Sequence, residues 1–217
     1  MKKFMALLLV AGMTLSLTAC GGSTDTAKTD QADGKDTFTV GFDQDFPPFG
    51  YVGDDGEFTG FDIEMATECA ARMGKKIVLQ PIDWDAKDME LEAGTIDCIW
   101  NGFTMNGRED QYTWTDPYMD NSQVVVVKKD SGINTLADLA GKVVEVQKES
   151  AAETALNDEE HADLMASFAQ LLSVGEYNTA FMDLESGAVD AVAIDIGVAQ
   201  FQIEGKEDQY QILDETI

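Results

Sequence analysis

Positive charge is scarce in this chain of 217 residues: 14 lysines and arginines stand against 41 acids, a formal net charge of −27. Such a surface repels phosphate backbones and anionic headgroups, which excludes nucleic-acid binding and electrostatic membrane attachment. The acidity reads as a well-hydrated surface and does not by itself make a ligand cationic. Histidine occurs once, at His161, and cysteine three times. With Cys69 and Cys98 far apart in sequence and one histidine in the chain, no zinc ligand set with ordinary spacing can be assembled. Neither G-x-S-x-G nor H-E-x-x-H is present, so two common hydrolytic signatures are missing. Asp83, Asp85 and Asp88 lack the glycine and glutamate that a calcium loop requires after them. No cofactor or metal is expected.

What is present is an ordinary globular composition, 44% apolar and 25% charged. The length allows one large domain or two small ones. Met1-Lys2-Lys3 precedes an apolar run from Phe4 to Leu17, and Leu17-Thr18-Ala19-Cys20 closes it. A run this short, ending in small residues, reads as a secretory signal rather than a span. The cysteine after the small residues resembles the lipobox of bacterial lipoproteins, which implies that residues 1–19 are removed and Cys20 is acylated. Residues 20–36 then form a polar, flexible tether. The remaining cysteines, Cys69 and Cys98, read as free thiols in a core, although an exported chain can also bridge them.

The body opens with a strand, Phe38 to Phe42, stopped by Pro47-Pro48. Gly53-Asp54-Asp55-Gly56 signals a hairpin. A helix from Phe61 or Asp62 carries Ile63, Ala66, Cys69, Ala70 and Met73 at helical spacing and stops at Gly74. Arg72 follows Glu68 by four residues, a surface pair. Lys76 to Ile82 is a second strand, Ala86 to Ala93 a short helix ended by Gly94, and a third, buried strand begins near Ile96. This βαβαβ order implies a parallel sheet.

Leu91-Glu92-Ala93-Gly94-Thr95-Ile96-Asp97-Cys98-Ile99 then recurs as Leu184-Glu185-Ser186-Gly187-Ala188-Val189-Asp190-Ala191-Val192, identical at four of nine positions. Around the second copy lie strands at Val124–Val127 and Val143–Val146, a helix Thr135–Leu139 capped by Asn134 and closed by Gly141, a helix begun by Ser150, and a helix from Tyr177 to Leu184. A second unit built like the first follows, so two lobes are expected, over residues 37–121 and 122–217. A cleft between lobes is a natural small-ligand site.

An amino acid presents a carboxylate and an ammonium. A planar cation suits the first, a carboxylate the second, a helix N-terminus can assist the anion, and an apolar wall holds the rest. Arg72 has a surface partner, which leaves Arg108, in the loop after the third strand with Asn101 and Thr104. Asp195 ends the strand Ala191–Ile194, Ser150 begins a helix, and Phe46 and Trp84 follow strands one and two. All sit at strand C-terminal ends, where α/β proteins place ligands. Singly, Asp195 is equally a helix cap and the aromatics equally core.

From Phe38 to Ile217 the chain resembles the extracellular solute-binding proteins of polar amino-acid ABC importers. The matching motifs are Asp45-Phe46-Pro47-Pro48-Phe49, Gly60-Phe61-Asp62-Ile63, Asp83-Trp84-Asp85-Ala86, Gly94-x-Ile96-Asp97, the Arg108 loop, Asp116-Pro117-Tyr118, Val146-Gln147-Lys148 and Val189-Asp190-Ala191-Val192-x-x-Asp195. The resemblance implies an α/β, two-lobed type II periplasmic-binding fold, each lobe a mostly parallel sheet flanked by helices. It implies Arg108 on the ligand carboxylate, Asp195 on the ammonium, Gly102 and Thr104 as backbone and hydroxyl partners, and Phe46 and Trp84 as walls. Asn101, Gln147 and Ser150 complete the expected ligand-binding set. An ABC permease is the implied membrane partner, on the extracytoplasmic face, with the protein monomeric, lipid-anchored and not an enzyme.

Three departures stand out. The loop from Thr104 to Arg108 is one residue shorter than usual. Glu149-Ser150-Ala151 stands where glycine and two hydroxyl residues are usual. The family's return crossing to lobe one, with its C-terminal helices, is not in the sequence. The alternatives are a sensor domain acting through a signalling partner and a dehydratase-like enzyme, which needs a general acid or base in the cleft.

Overall fold

The order of strands in the two main sheets shows how the chain builds one unit twice. The computed structural model describes residues 35–217; the signal segment 1–19, Cys20 and nearly all of the tether lie outside the described residues. Strand β1 (Thr37–Phe42) is followed by the short pieces β2 (Asp45–Phe46), β3 (Gly50–Val52) and β4 (Phe58–Thr59). Helix α1 (Phe61–Arg72), strand β5 (Lys76–Pro81), a 3-10 turn at Trp84–Ala86, helix α2 (Lys87–Glu92) and strand β6 (Cys98–Ile99) complete the first lobe's frame. Its sheet runs β5-β1-β6 with both pairings parallel, while β2-β3-β4 form a small antiparallel sheet of their own.

The second lobe contains β7 (Gln123–Lys128), a 3-10 turn at Leu136–Leu139, β8 (Val143–Gln147), α3 (Ala151–Leu156), α4 (Ala162–Ser167) and β9 (Gln170–Val174). Helix α5 (Tyr177–Ser186), strand β10 (Ala191–Asp195), helix α6 (Ile196–Ile203) and strand β11 (Tyr210–Ile212) follow. Its sheet order is β11-β7-β10-β8-β9. The pairs β10–β8 and β8–β9 are parallel, whereas β7 lies antiparallel to both β10 and β11. The expected mostly parallel sheet is thus present, with β7 as the strand that runs against its neighbours. Valine runs mark a strand buried on both faces and carry no sign of its direction.

The nine-residue repeat has a structural counterpart at every level. Gly94 and Gly187 both take left-handed backbone, φ 69 and 82, past the ends of α2 and α5, the conformation that glycine adopts without a Cβ penalty. Asp97 Oδ2 accepts the Thr39 backbone N–H at 2.8 Å, and Asp190 Oδ2 accepts that of Val143 at 2.8 Å. Each aspartate also donates its own N–H to the carbonyl of that same strand residue, at 2.7 and 2.9 Å. The strand that follows each is parallel to its neighbour in the same register, Val40 with Cys98 and Val144 with Ala191. The repeat is a strand-entry device: its aspartate fixes where β6 and β10 join their sheets.

Several local expectations are adjusted. Thr135, not Asn134, caps the 3-10 turn, in a capping box with Asp138; threonine followed three residues later by an acid is that motif's signature. Cys69 and Met73 do not join the buried face of α1, which is Asp62, Ile63, Ala66 and Ala70; Met73 is 49% exposed. Cys69 and Cys98 carry free thiols and are half-buried rather than core, and burial pushes the Cys98 thiol up to about 12, with Asp97 and Cys69 adding to it. The third strand is two residues long, with Ile96 buried ahead of it. Arg72 Nε meets Glu68 at 2.8 Å on the surface. Among the described residues no helix is long and apolar enough to cross a membrane.

Candidate functional site

Strand ends converge on one small cavity, lined by Phe46, Trp84, Asn101, Gly102, Thr104, Arg108, Gln147, Ser150 and Asp195, with Phe103 and Ala151 between them. Thus the structure brings together all nine residues singled out from the sequence. Phe103 and Ala151 went unnoticed, although each adjoins a residue that was singled out. The reason for the convergence is geometric: in a parallel sheet every strand's C-terminal end opens on one edge, and here the two edges face each other.

The first lobe supplies the cation and the aromatic wall. Arg108 is 7% exposed, and its guanidinium lies 5.2 Å from the centre of the Phe103 ring. Its Nη1 donates to the Thr104 carbonyl at 3.4 Å, while Nη2 donates to the Glu149 carbonyl and to Thr154 Oγ1, each at 3.1 Å. Burial lowers its pKa, opposed by Tyr112, Asp195, Asp88 and Glu149; a guanidinium stays protonated throughout. Trp84 is buried and stands edge-on to Phe103 at 5.1 Å. Phe46 stacks on Phe49 at 5.6 Å and leans on Tyr177 of the other lobe at 6.0 Å.

Gly102 has φ 59, and a Cβ there meets the Phe49 ring at 3.2 Å, so no larger residue fits without strain. Its N–H donates to the carboxylate of Asp62, which also accepts the Tyr118 hydroxyl at 2.9 Å. Burial raises the Asp62 carboxyl to about 6 against these hydrogen bonds. Asn101 is 2% exposed and its Oδ1 has no partner. A buried acceptor left unpaired on a cavity wall is costly unless something enters to pair with it.

The second lobe supplies the anion. Asp195 stands just before α6, yet its side chain makes no capping bond. Its carboxylate accepts Gln123 Nε2 at 2.8 Å and the Asn121 amide, which donates also to Thr104 Oγ1 at 3.1 Å. Burial raises its pKa, and the hydrogen bonds and the charge of Arg108 oppose the rise. Sequence reading missed Asn121 and Gln123, which hold Asp195 from the crossing segment and from β7. Ser150 caps α3, accepting the Glu153 N–H at 3.1 Å. Gln147 donates to Asp43 Oδ2 at 2.6 Å and to the Gly175 carbonyl at 2.9 Å. Asp43 is pushed up to about 6 by burial.

Trp84 also borders a wider cavity of about 420 Å³, whose lining includes the acids Asp43, Asp45, Asp83, Asp85, Glu90 and Glu176 and no lysine, arginine or histidine. His161 lies elsewhere, in the turn before α4, with Nδ1 3.0 Å from the Ala155 carbonyl. Among the described residues no group of three or more His, Cys, Asp or Glu side chains is placed to hold a metal ion.

The family model for bacterial extracellular solute-binding proteins, family 3, matches residues 38–184. Among curated relatives, the arginine-binding extracellular protein of Bacillus subtilis (strain 168) is 36% identical over 148 residues, which cover 68% of this chain and 56% of that protein. The L-cystine-binding protein of Escherichia coli (strain K12) is 31% identical over 194 residues, covering 88% of this chain and 69% of the relative. A histidine-bound ABC uptake transporter substrate-binding protein from Streptococcus pneumoniae superposes with TM-score 0.77 at 35% identity, over 82% of this chain and 74% of that one. An ancestral arginine-binding protein bound to arginine gives TM-score 0.74 at 35% identity, with 82% and 79% covered. The matched part is thus little more than half of the Bacillus protein.

Proposed function

Because this chain belongs to the bacterial extracellular solute-binding proteins, family 3, a family of binding proteins rather than enzymes, we propose that it binds a free amino acid outside the cell membrane and delivers it to the permease of an ABC importer. The observation that carries this reading is the placement of Arg108 and Asp195, from different lobes, on the wall of one small cavity. Arg108 takes the α-carboxylate, with a fork suited to bidentate contact. Asp195, held by Gln123 and Asn121, takes the α-ammonium. Asn101 Oδ1, unpaired in a buried position, is a second acceptor for ammonium hydrogens. Thr104 and the Gly102 backbone add polar contacts, and Phe46 and Trp84 wall the side chain.

Binding works by population shift. Neither lobe alone offers both charges, so the ligand favours the closed arrangement by the contacts that only closure makes. On the same reading the lobes divide near residue 121, Cys20 carries the lipid that tethers a monomeric receptor to the membrane, and residues 20–36 give it reach.

The neighbouring cavity with its six acidic side chains favours a ligand whose side chain ends in a cation and passes Trp84, in line with the arginine-binding relatives. Calorimetry with the twenty amino acids and cystine tests both levels. A cationic amino acid should bind best, and Arg108→Ala should abolish binding of whichever ligand is found. Undiminished affinity in that variant removes Arg108 from the site; a preference for cystine or an acidic amino acid removes the cationic ligand.

A further inference from the structure

Glu149 is the one non-glycine residue with positive φ among the described residues, at φ 57. A residue with a Cβ is costly there, and such positions persist only where the surroundings hold them. Three contacts hold this one. Its N–H donates to Glu153 Oε2 at 2.6 Å, within the α3 region of its own lobe. Its carbonyl accepts Arg108 Nη2 at 3.1 Å, from the other lobe. Its carboxylate accepts Lys87 Nζ at 2.8 Å, again from the other lobe.

Lys87 is the unusual partner. Its side chain is 3% exposed, whereas that of Glu149 is 47% exposed, and its ammonium lies 5.3 Å from the Trp84 ring centre. An ammonium that far from solvent needs a counter-charge, and the one bonded to it belongs to the opposite lobe. Beside this pair runs a second with its charges reversed: Lys148 Nζ meets Asp85 Oδ2 at 2.7 Å. Neighbours Lys148 and Glu149 thus engage Asp85 and Lys87 in a crossed double clasp. A parallel slip of the lobes sets like charges together, so the clasp fixes register as well as closure.

We propose that Glu149 is a positioning residue: its carboxylate, locked to Lys87, holds the lobes closed, and its carbonyl, presented by the left-handed backbone, fixes the arginine that takes the ligand carboxylate. The inference rests on the amino-acid reading given above. It assigns to the clasp the lifetime of the closed state rather than the rate of capture, because Lys87 and Glu149 meet only after the lobes have come together.

The test uses the full chain with L-arginine as the probe, following association and dissociation by stopped flow and, without any ligand, hydrogen exchange of segments 83–92 and 146–154. Glu149→Gln and Lys87→Gln should each raise the dissociation rate ten- to a hundred-fold, leave association within about threefold, and raise exchange of both segments in the unliganded protein. The exchanged pair Lys87→Glu with Glu149→Lys should recover most of the loss. Glu149→Gly, which suits the backbone but lacks the carboxylate, should dissociate as fast as Glu149→Gln. Unchanged exchange in the single variants overturns the clasp, as does wild-type dissociation in Glu149→Gly. Should exchange respond as expected while the parent chain shows no affinity for L-arginine, the clasp stands and the ligand reading falls.

Discussion

The two lobes share a plan but not a degree of burial. In the second, β7, β8 and β10 are buried almost throughout, and both large apolar clusters form there, one on each face of the sheet. In the first, β5 is exposed or half-buried along its whole length and β1 is buried only in its second half. Phe61, Met73, Met89 and Tyr118, all in the first lobe, are more than 40% exposed. Two of the first lobe's buried rings, Phe46 and Phe49, pack into the second lobe's cluster. The lesson is that one lobe supplies the stability and the other much of the recognition surface, joined by aromatics placed beside the ligand cavity.

The sharpest way to break that comparison is Phe49→Ala. It removes a first-lobe ring from the second lobe's core and should cost about 3–5 kcal/mol in urea denaturation; a cost near 1 kcal/mol means that the lobes are stable independently. Next comes a matched pair. Ile194→Ala, fully buried in β10, should cost about 2–5 kcal/mol, whereas Leu79→Ala in half-buried β5 should cost about 1 kcal/mol or less. Equal losses contradict the asymmetry. Asp97→Ala and Asp190→Ala probe the shared plan instead. Each orphans one strand N–H, so each should cost roughly 1–2 kcal/mol, and the two values should agree by thermal unfolding within about 0.5 kcal/mol.

The smallest effect is on pH. Asp43 and Asp62, both in the first lobe, titrate near 6 in the fold because burial raises them. Between the ordinary carboxylate range and 6 the folded state therefore binds more protons than the unfolded chain, and stability rises as pH falls through 6. The gain from pH 7 to pH 5 should be about 1 kcal/mol per group. Asp97 and Asp85, held below the usual range by hydrogen bonds and by Lys35 and Lys148, work in the opposite sense, so their share is lost near and below pH 4. Denaturation midpoints across pH 4–7 check this, and in Asp43→Asn with Asp62→Asn the rise towards pH 5 should shrink, what is left coming from Asp195 and Glu145, which burial also raises.

Much of the site was legible because strand ends in a parallel sheet share an edge, so knowing where β1, β5, β6, β8 and β10 stop is nearly enough to gather Phe46, Trp84, Asn101, Gln147 and Asp195. The repeat was legible because a glycine stop and a strand-entry aspartate are strict local demands. Strand direction at β7 was not, since a run of valines is the same read either way. Nor were Asn121 and Gln123 as the holders of Asp195, because hydrogen bonds between segments distant in sequence leave no periodic trace. The exposure of Met73 and half-burial of Cys69 escaped because helical spacing shows which residues share a face but not whether anything covers it.

The bond from Gln147 to Asp43 has a consequence of symmetry. The matched registers make β1 and β8 equivalent, Thr39 with Val143, and the same offset of 104 residues relates Asp43 to Gln147. Equivalent residues that touch lie close to the axis of the rotation relating the lobes, and in identical halves related by a twofold axis such residues meet their own copies. Two aspartates there would repel in a buried place, and an aspartate with a glutamine makes a hydrogen bond. A chain carrying both halves can differ at this one point, and the cleft closes on a contact that a strictly symmetric pair could not make.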